Sequence, residues 1–306
     1  MLRSGQLVIG MMDPLASPQA AQQVASTGAT AIALELVPRI SRAQSMDVLS
    51  SMATLAGYRS VLLGAEAAPR ILPMLMTAAG TLQPARVLIM GVGVAGLQAC
   101  ATAKRLGAVV EAYDVRPAAR EQIISVGAKP VELDLQTESS EDAGGYAKEQ
   151  SEEFLRRQRE LMTEVVARQD IIITTAAVPG AKSPILVTQD MVKAMKPGSV
   201  IVDLAAERGG NCDLTKQGET VVAHEVTILG PENVPSDLAH HASQMFGKNM
   251  QTLLELILDD GSINLNFDDE IIAGTVVSHQ GDVPHPHMRK LLGLSEPEAN
   301  TQKQSD

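Results

Sequence analysis

Residues 86–116, RVLIMGVGVAGLQACATAKRLGAVVEAYDVR, constrain the fold of this chain more than any other stretch. The apolar run 87–90 has the length and composition of a buried strand. Gly91, Gly93 and Gly96 follow with G-x-G-x-x-G spacing, interleaved with Val92, Val94 and Ala95, and a helical pattern over 97–106 stops at Gly107. A second apolar run, 109–113, delivers Asp114 eighteen residues after the last of these glycines, with Val115 and Arg116 behind it. Gly91 permits the tight strand-to-helix turn, Gly93 lets a pyrophosphate approach the backbone, and Gly96 lets helix and strand pack closely. The helix N-terminus adds unpaired N–H groups and the positive end of its dipole. Asp114 is placed to accept hydrogen bonds from a ribose diol and to repel a 2′-phosphate, which favours NAD(H) over NADP(H). Arg116 pulls the other way, because a nearby basic residue can serve a 2′-phosphate; the retained Asp114 decides for NAD(H).

The rest of the chain alternates strand and helix around this unit. Downstream, the pattern predicts a helix over 118–126, a strand over 129–133, a polar loop over 134–148, an amphipathic helix over 149–168 and a buried strand over 171–174. Thr175, Ala176, Ala177 and Pro179 follow that strand and are expected at the cofactor. A helix capped by Thr188, a strand over 200–204 and two short strands around Val221 and Ile228 complete a doubly wound parallel sheet, whose ligands lie at the carboxyl ends of its strands. Upstream, a strand over 7–11, a helix opened by Ser17 as N-cap with Pro18 and ended by Gly28, and a strand over 30–36 form a second, separate β-α-β unit. A polar segment over 38–47 leads to a helix over 46–63 and a further helical stretch reaching Met76. A long helix over 235–258 reads as the return to the first domain. The expected architecture is α/β with two Rossmann-like doubly wound parallel-sheet domains: residues 1–50 with 235–306, and a dinucleotide domain over 51–234.

Composition narrows the function. The net charge is −11 with no basic stripe, which argues against nucleic acid as a partner. The two cysteines, Cys100 and Cys212, make no C-x-x-C pair, as in a reducing compartment. The apolar region over 62–82 is broken by Glu66 and Arg70, too short a clean run to span a bilayer, so the chain reads as soluble and cytoplasmic. His285 and His287 flank Pro286 without a Cys or carboxylate cluster, and they read as solvated loop residues rather than metal ligands. Hydride transfer between two nicotinamides requires no general acid or base; it requires two rings held face to face with water excluded. The polar segment containing Arg39 and Asp47, and the loop containing Tyr146, are candidates for that orienting role. The alternative is that Arg39 and Asp47 form a surface ion pair and Tyr146 only packs.

The segments ELVPRISRAQSMDVLSS, GVGVAGLQACATAKRLGA, DVR, AGGYAKE, TTAAVPG, MKPGSVIVDLAAERGGNC and NVPS together resemble the NAD(H)-binding alpha components of proton-translocating nicotinamide nucleotide transhydrogenases. The likeness runs over nearly the whole chain, and PRISRAQSMD is its specific part. It implies an enzyme of the Re/Si-specific type in which NADH reduces NADP⁺ held on a partner component. It further implies a separate membrane component that carries protons, a homodimer, and a peripheral place at the inner (plasma) membrane. Residue by residue, it implies that Arg39, Gln44 and Asp47 form the loop beside the nicotinamide. Gln44 would reach toward NADP(H), Ser50 would hold the carboxamide, and Tyr146 would belong to a loop that closes over NAD(H). Family members carry a further segment ahead of the point matching Met1, so the first domain is expected to be incomplete at its N-terminus. Alanine dehydrogenases share the architecture but rely on upstream Lys and His residues. An alanine-dehydrogenase-like oxidoreductase and a non-catalytic NAD-binding protein are the competing readings.

Overall fold

The structure, a computed structural model, describes residues 1–133, 152–178 and 180–295. The chain forms two compact units, Met1–Leu49 with Gln244–Asp306, and Ser50–Ser243.

The first unit opens with β1 (Leu7–Gly10), α1 (Pro18–Ala25) and β2 (Thr30–Ala33), and β1 pairs parallel with β2. Pro18 presets the first turn of α1, but Ser17 makes no side-chain capping bond, contrary to the sequence expectation. After β2, residues Ser41–Met46 coil into a 3-10 helix where the sequence predicts only a polar segment. Ala43 and Met46 on this turn are buried with Ile32, Leu34, Leu253 and Ile271, and that burial orders an otherwise polar stretch. The helix α2 (Val48–Ala67) then carries the chain into the second unit.

A helix reaching Met76 does not form. Pro69 and Pro73 interrupt it, and β3 (Leu75–Thr77) and β4 (Gly80–Leu82) make an exposed hairpin instead. Its turn relies on Gly80, whose φ of +124° suits no other residue.

In the second unit, β5 (Arg86–Met90), α3 (Val94–Arg105), β6 (Val109–Tyr113), α4 (Ala119–Ser125) and β7 (Lys129–Pro130) follow in order. They are succeeded by α5 (Glu152–Ala167), β8 (Ile171–Thr174), α6 (Gln189–Ala194) and β9 (Val200–Asp203). Finally, β10 (Thr220–Ala223) pairs antiparallel with β11 (Val226–Leu229) at one edge. The sheet order is β10-β11-β9-β8-β5-β6-β7, and all pairs except β10·β11 are parallel. The order reverses between β5 and β8, which sets the ligand crevice at their carboxyl ends. The runs in β5, β8 and β9 are buried on both faces, as a helix-covered parallel sheet demands. Val87, Ile89, Ile171 and Ile173 pack on one face with α3 and Val61 of α2; Leu88, Met90, Ile172 and Ile201 pack on the other with α5 and α6.

The chain returns through α7 (Ala239–Ile257), whose first residues belong to the second unit. The hairpin of β12 (Leu258–Asp259) and β13 (Ser262–Ile263), α8 (Glu270–Thr275), β14 (Val276–Ser278) and α9 (Pro286–Leu292) complete the first unit. Strand β14 joins β2 antiparallel, giving the order β1-β2-β14. His285 is not the solvated loop residue expected: its Nδ1 accepts from the Met288 N–H at the start of α9, and its Nε2 donates to the Gly274 carbonyl at 3.1 Å. Burial holds its imidazole below the ordinary pKa.

One charge sits inside the apolar run of β6. Glu111 is 4% exposed and accepts from Arg168 at 2.9 Å, Gln169 at 2.8 Å and Arg86 at 3.1 Å. Burial pushes its pKa up, but the hydrogen bonds from Arg168, Gln169 and Arg86 outweigh that and hold it at about 2, against an ordinary 4.5. A depressed carboxyl pKa contributes stability that is present above pH 4.5 and lost as the pH falls toward 2. With screening at the half-exposed arginines, the contribution is about 2 kcal/mol. Urea unfolding of Glu111→Gln should therefore show a lower stability than the unaltered chain at pH 7 and a flatter slope between pH 4.5 and about pH 3. Equal slopes would remove Glu111 as the titrating group.

Candidate dinucleotide site

The loop between β5 and α3 is built around missing side chains. Gly91 has φ +90°, and a Cβ there would lie 2.9 Å from both Ala176 N and Thr175 Oγ1. A Cβ on Gly96 would lie 2.0 Å from the Gly91 carbonyl oxygen, so only glycine lets α3 start this close to β5. Gly93 differs: nothing lies within 4 Å of its added Cβ, and with Val94 it faces solvent. The open glycine stands as N-cap of the twelve-residue helix α3, where first-turn N–H groups have no intrahelical partner. Two closed glycines and one open one make a cradle that fits a pyrophosphate.

Asp114 stands just past β6. Its Oδ2 accepts from the Val92 N–H at 2.7 Å, which ties the glycine loop to the second strand. Its Oδ1 accepts from the backbone N–H and the Nε of Arg116, both at 2.9 Å. Beside the pair is a cavity of about 390 Å³ at the carboxyl ends of β6 and β7, lined by Tyr113, Asp114, Val115, Arg116, Val131 and Leu133 among others.

The segment after β8 closes the other side. Thr175 Oγ1 donates to the Gly91 carbonyl at 2.8 Å. Both peptide groups of Ala176 are held by Asn211: Ala176 N donates to its Oδ1 at 3.0 Å, and its Nδ2 donates to Ala176 O at 2.8 Å. Asn211 is in turn fixed by Asp203, a fully buried carboxylate at the end of β9 that accepts from Thr174 Oγ1, Thr215 Oγ1 and the backbone N–H groups of Ala205, Asn211 and Cys212. Ala177 and Val178 complete the segment; Pro179 and Tyr146 lie outside the described residues. Sequence reasoning missed this two-step support, although a Gly-Gly-Asn turn after a strand was its visible sign. It also missed Gly57, where a Cβ would lie 2.1 Å from the Ala95 carbonyl oxygen; an isolated glycine inside a helical pattern was the signal.

In the first unit, Arg39, Gln44 and Asp47 follow β2, with Gln44 exposed on the 3-10 turn. Arg42, not singled out from sequence, anchors this turn: it forks onto Asp269 at 2.7 and 2.6 Å, and Asp269 also caps α8. The hydrogen bond from Arg42 lowers the Asp269 pKa. Asn249 of α7 donates to Ser45 O at 2.8 Å from behind. Ser50 begins the second unit, in the first turn of α2.

Both cysteines are buried free thiols. Burial pushes Cys100 up to about 12 and Cys212 up to about 11. Among the described residues, no group of His, Cys, Asp or Glu is arranged to hold a metal, and no helix is long and apolar enough to cross a membrane.

Comparison with known proteins gives the same lineage over both units. The alanine dehydrogenase/PNT C-terminal domain model matches residues 60–286, and the N-terminal domain model matches residues 1–56. An NAD(P) transhydrogenase alpha subunit of Rhodospirillum rubrum is 49% identical over 289 residues, 94% of this chain and 75% of that one. The NAD(P) transhydrogenase subunit alpha of Haemophilus influenzae is 43% identical over 92% of this chain and 55% of its own length. The crystal structure of transhydrogenase from Sinorhizobium meliloti superposes with a TM-score of 0.82 at 47% identity, covering 92% of this chain and 76% of that one. An L-alanine dehydrogenase structure shares the fold, with a TM-score of 0.73 at 24% identity over 95% of this chain and 76% of that one. The chain belongs to the alanine dehydrogenase/PNT family, among the NAD(P) transhydrogenase alpha subunits.

Proposed function

We propose that this chain is the NAD(H)-binding component of a proton-translocating, Re/Si-specific transhydrogenase. In this reading it works as a homodimer, peripheral to the inner membrane, with an NADP(H)-binding component and a membrane proton-channel component as partners. The observation that carries the reading is the glycine cradle with Asp114 beside it. Gly93 leaves the backbone open to a pyrophosphate, the start of α3 supplies N–H donors, and Asp114 selects the ribose diol over a 2′-phosphate. When bound, NADH supplies a hydride, and the transfer needs no proton from the protein. The work left to the chain is orientation and exclusion of water. For the nicotinamide end we carry over the roles implied by the resemblance: Arg39, Gln44 and Asp47 beside the ring, Ser50 on the carboxamide and Tyr146 on a closing loop.

Mixing the chain with an NADP(H)-binding component tests the reading through exchange between NADH and NADP⁺. NADH oxidation dependent on pyruvate and ammonia would instead mark an alanine-dehydrogenase-like oxidoreductase, and binding without either reaction a non-catalytic protein.

Gln44 gives a sharper prediction. It is exposed on a turn whose neighbours Ala43 and Met46 are buried, and an amide both donates and accepts. Gln44→Asn withdraws the amide by one methylene, so single-turnover transfer should slow by about tenfold or more with NADH affinity unchanged. An unaltered rate, or an affinity loss that accounts for the whole effect, would remove Gln44 from the transfer step.

A further inference from the structure

We propose that Arg116 is a displaceable lock on Asp114 and, through it, sets how sharply the site separates NADH from NADPH. This rests on the reading of the glycine cradle as an NAD(H) site. An ionised carboxylate offers about four lone-pair positions. At Asp114 all of them are engaged: Oδ1 by the N–H and Nε of Arg116, Oδ2 by Val92 N at 2.7 Å and by Arg116 Nη2 at 3.0 Å. The same Nη2 also reaches the Val92 carbonyl at 3.2 Å, so the guanidinium bridges the acid and the glycine loop. The side chains are only 18% and 7% exposed, and water competes weakly for the pair.

A ribose diol therefore finds no acceptor at Asp114 while this arrangement stands. The two backbone N–H donors, Val92 in the glycine loop and Arg116 in the turn after β6, leave only if those segments are unmade. The guanidinium sits on a flexible stem and can swing out of the way, so the ribose hydroxyls take the two positions it vacates. Two consequences follow with opposite signs. Breaking the fork works against NADH, so an apolar side chain of similar reach at position 116 strengthens NADH binding. The fork also neutralises the charge on Asp114 and places a cation where a 2′-phosphate would arrive, so its removal weakens NADPH binding. A purely structural role for Arg116 would move both ligands in one direction.

The experiment is fluorescence titration of the full chain with NADH and with NADPH, for the unaltered protein, Arg116→Met, Arg116→Lys and Asp114→Ala. Arg116→Met is expected to tighten NADH by about fivefold and weaken NADPH by about fivefold or more, each about 1 kcal/mol. Arg116→Lys keeps the charge without the planar fork and falls between the two. If both nucleotides shift together in Arg116→Met, or NADH weakens as much as in Asp114→Ala, the lock is wrong. If the unaltered chain prefers NADH but Arg116→Met shows no opposed shift, the lock fails while the site assignment stands. If the unaltered chain binds neither nucleotide, both fall. Thermal unfolding of each variant checks the fold, and Arg116→Gln replaces Arg116→Met if the latter does not fold.

Discussion

Gly96→Ala is expected to cost both stability and nucleotide binding, whereas Gly93→Ala, three residues away, should cost binding alone. The Cβ added at position 96 would lie 2.0 Å from the Gly91 oxygen, 3.0 Å from its carbon and 3.4 Å from Thr175 Oγ1. Backbone faces backbone, and Gly91 cannot retreat because its φ of +90° and the bond from Thr175 fix it. Overpacking of this kind costs about 1–3 kcal/mol or more, and the relief available is to open the turn. We expect a fall of about 3 kcal/mol in unfolding free energy and a loss of NADH affinity of at least about tenfold. At Gly93 an added methyl meets nothing within 4 Å, so stability should change by no more than about 0.5 kcal/mol. The methyl would stand where the pyrophosphate has to approach, and NADH affinity should fall by about tenfold. Urea unfolding and NADH titration of both variants check the pair. Normal NADH binding by Gly93→Ala would mean that no phosphate passes over that glycine.

The second large effect lies at Asp203. Asp203→Ala removes the acceptor for three backbone N–H groups, at Ala205, Asn211 and Cys212, and for the hydroxyls of Thr174 and Thr215. Asp203 is fully buried, so those donors have no ready access to water. Each unsatisfied buried group costs about 1–3 kcal/mol, and the expected loss is about 4 kcal/mol or more. Asn211→Ala should be milder, about 1–3 kcal/mol, because it releases only its bonds to Ala176 and Pro184 and leaves the Asp203 acceptor in place. In urea, both midpoints should fall with the slope unchanged. An Asp203→Ala variant as stable as the unaltered protein would mean that water replaces the carboxylate.

These two sites also show what the sequence carries and what it hides. The unit from β5 to β6 is legible because every part of it is local: an apolar run, glycines at fixed spacing, a helix and an acid within one short stretch. An added Cβ would clash at Gly91 and Gly96, as a tight turn and close helix–strand packing require, and would meet nothing at Gly93. Thr188 is legible as a cap for the same reason, and its hydroxyl accepts from Met191 N at 3.3 Å. The support by Asp203 is not, since it joins Thr174 at the end of β8 to Asn211 in the connection after β9. Glu111 hides inside an apolar run because its partners are distant in sequence: Arg86 begins β5, and Arg168 and Gln169 lie between α5 and β8. The stretch up to Met76, which enters β3, reads as helix because Met, Leu and Ala dominate it and composition alone favours that state; Pro73 and Gly80 override the preference. Ser17 has the right type and place for a cap and makes no capping bond, while His285, which looks solvated, caps α9.

We propose that hydride passes directly from NADH on this chain to NADP⁺ on a partner. The most direct measurement uses NADH carrying deuterium at the transferred position of C4, mixed with the chain, an NADP(H)-binding component and NADP⁺, with the products analysed by mass spectrometry. Direct transfer predicts that the NADPH formed carries the deuterium and that none is lost to water. NADPH formed without the label, or no NADPH from a chain that binds NADH and a partner that binds NADP⁺, would contradict it.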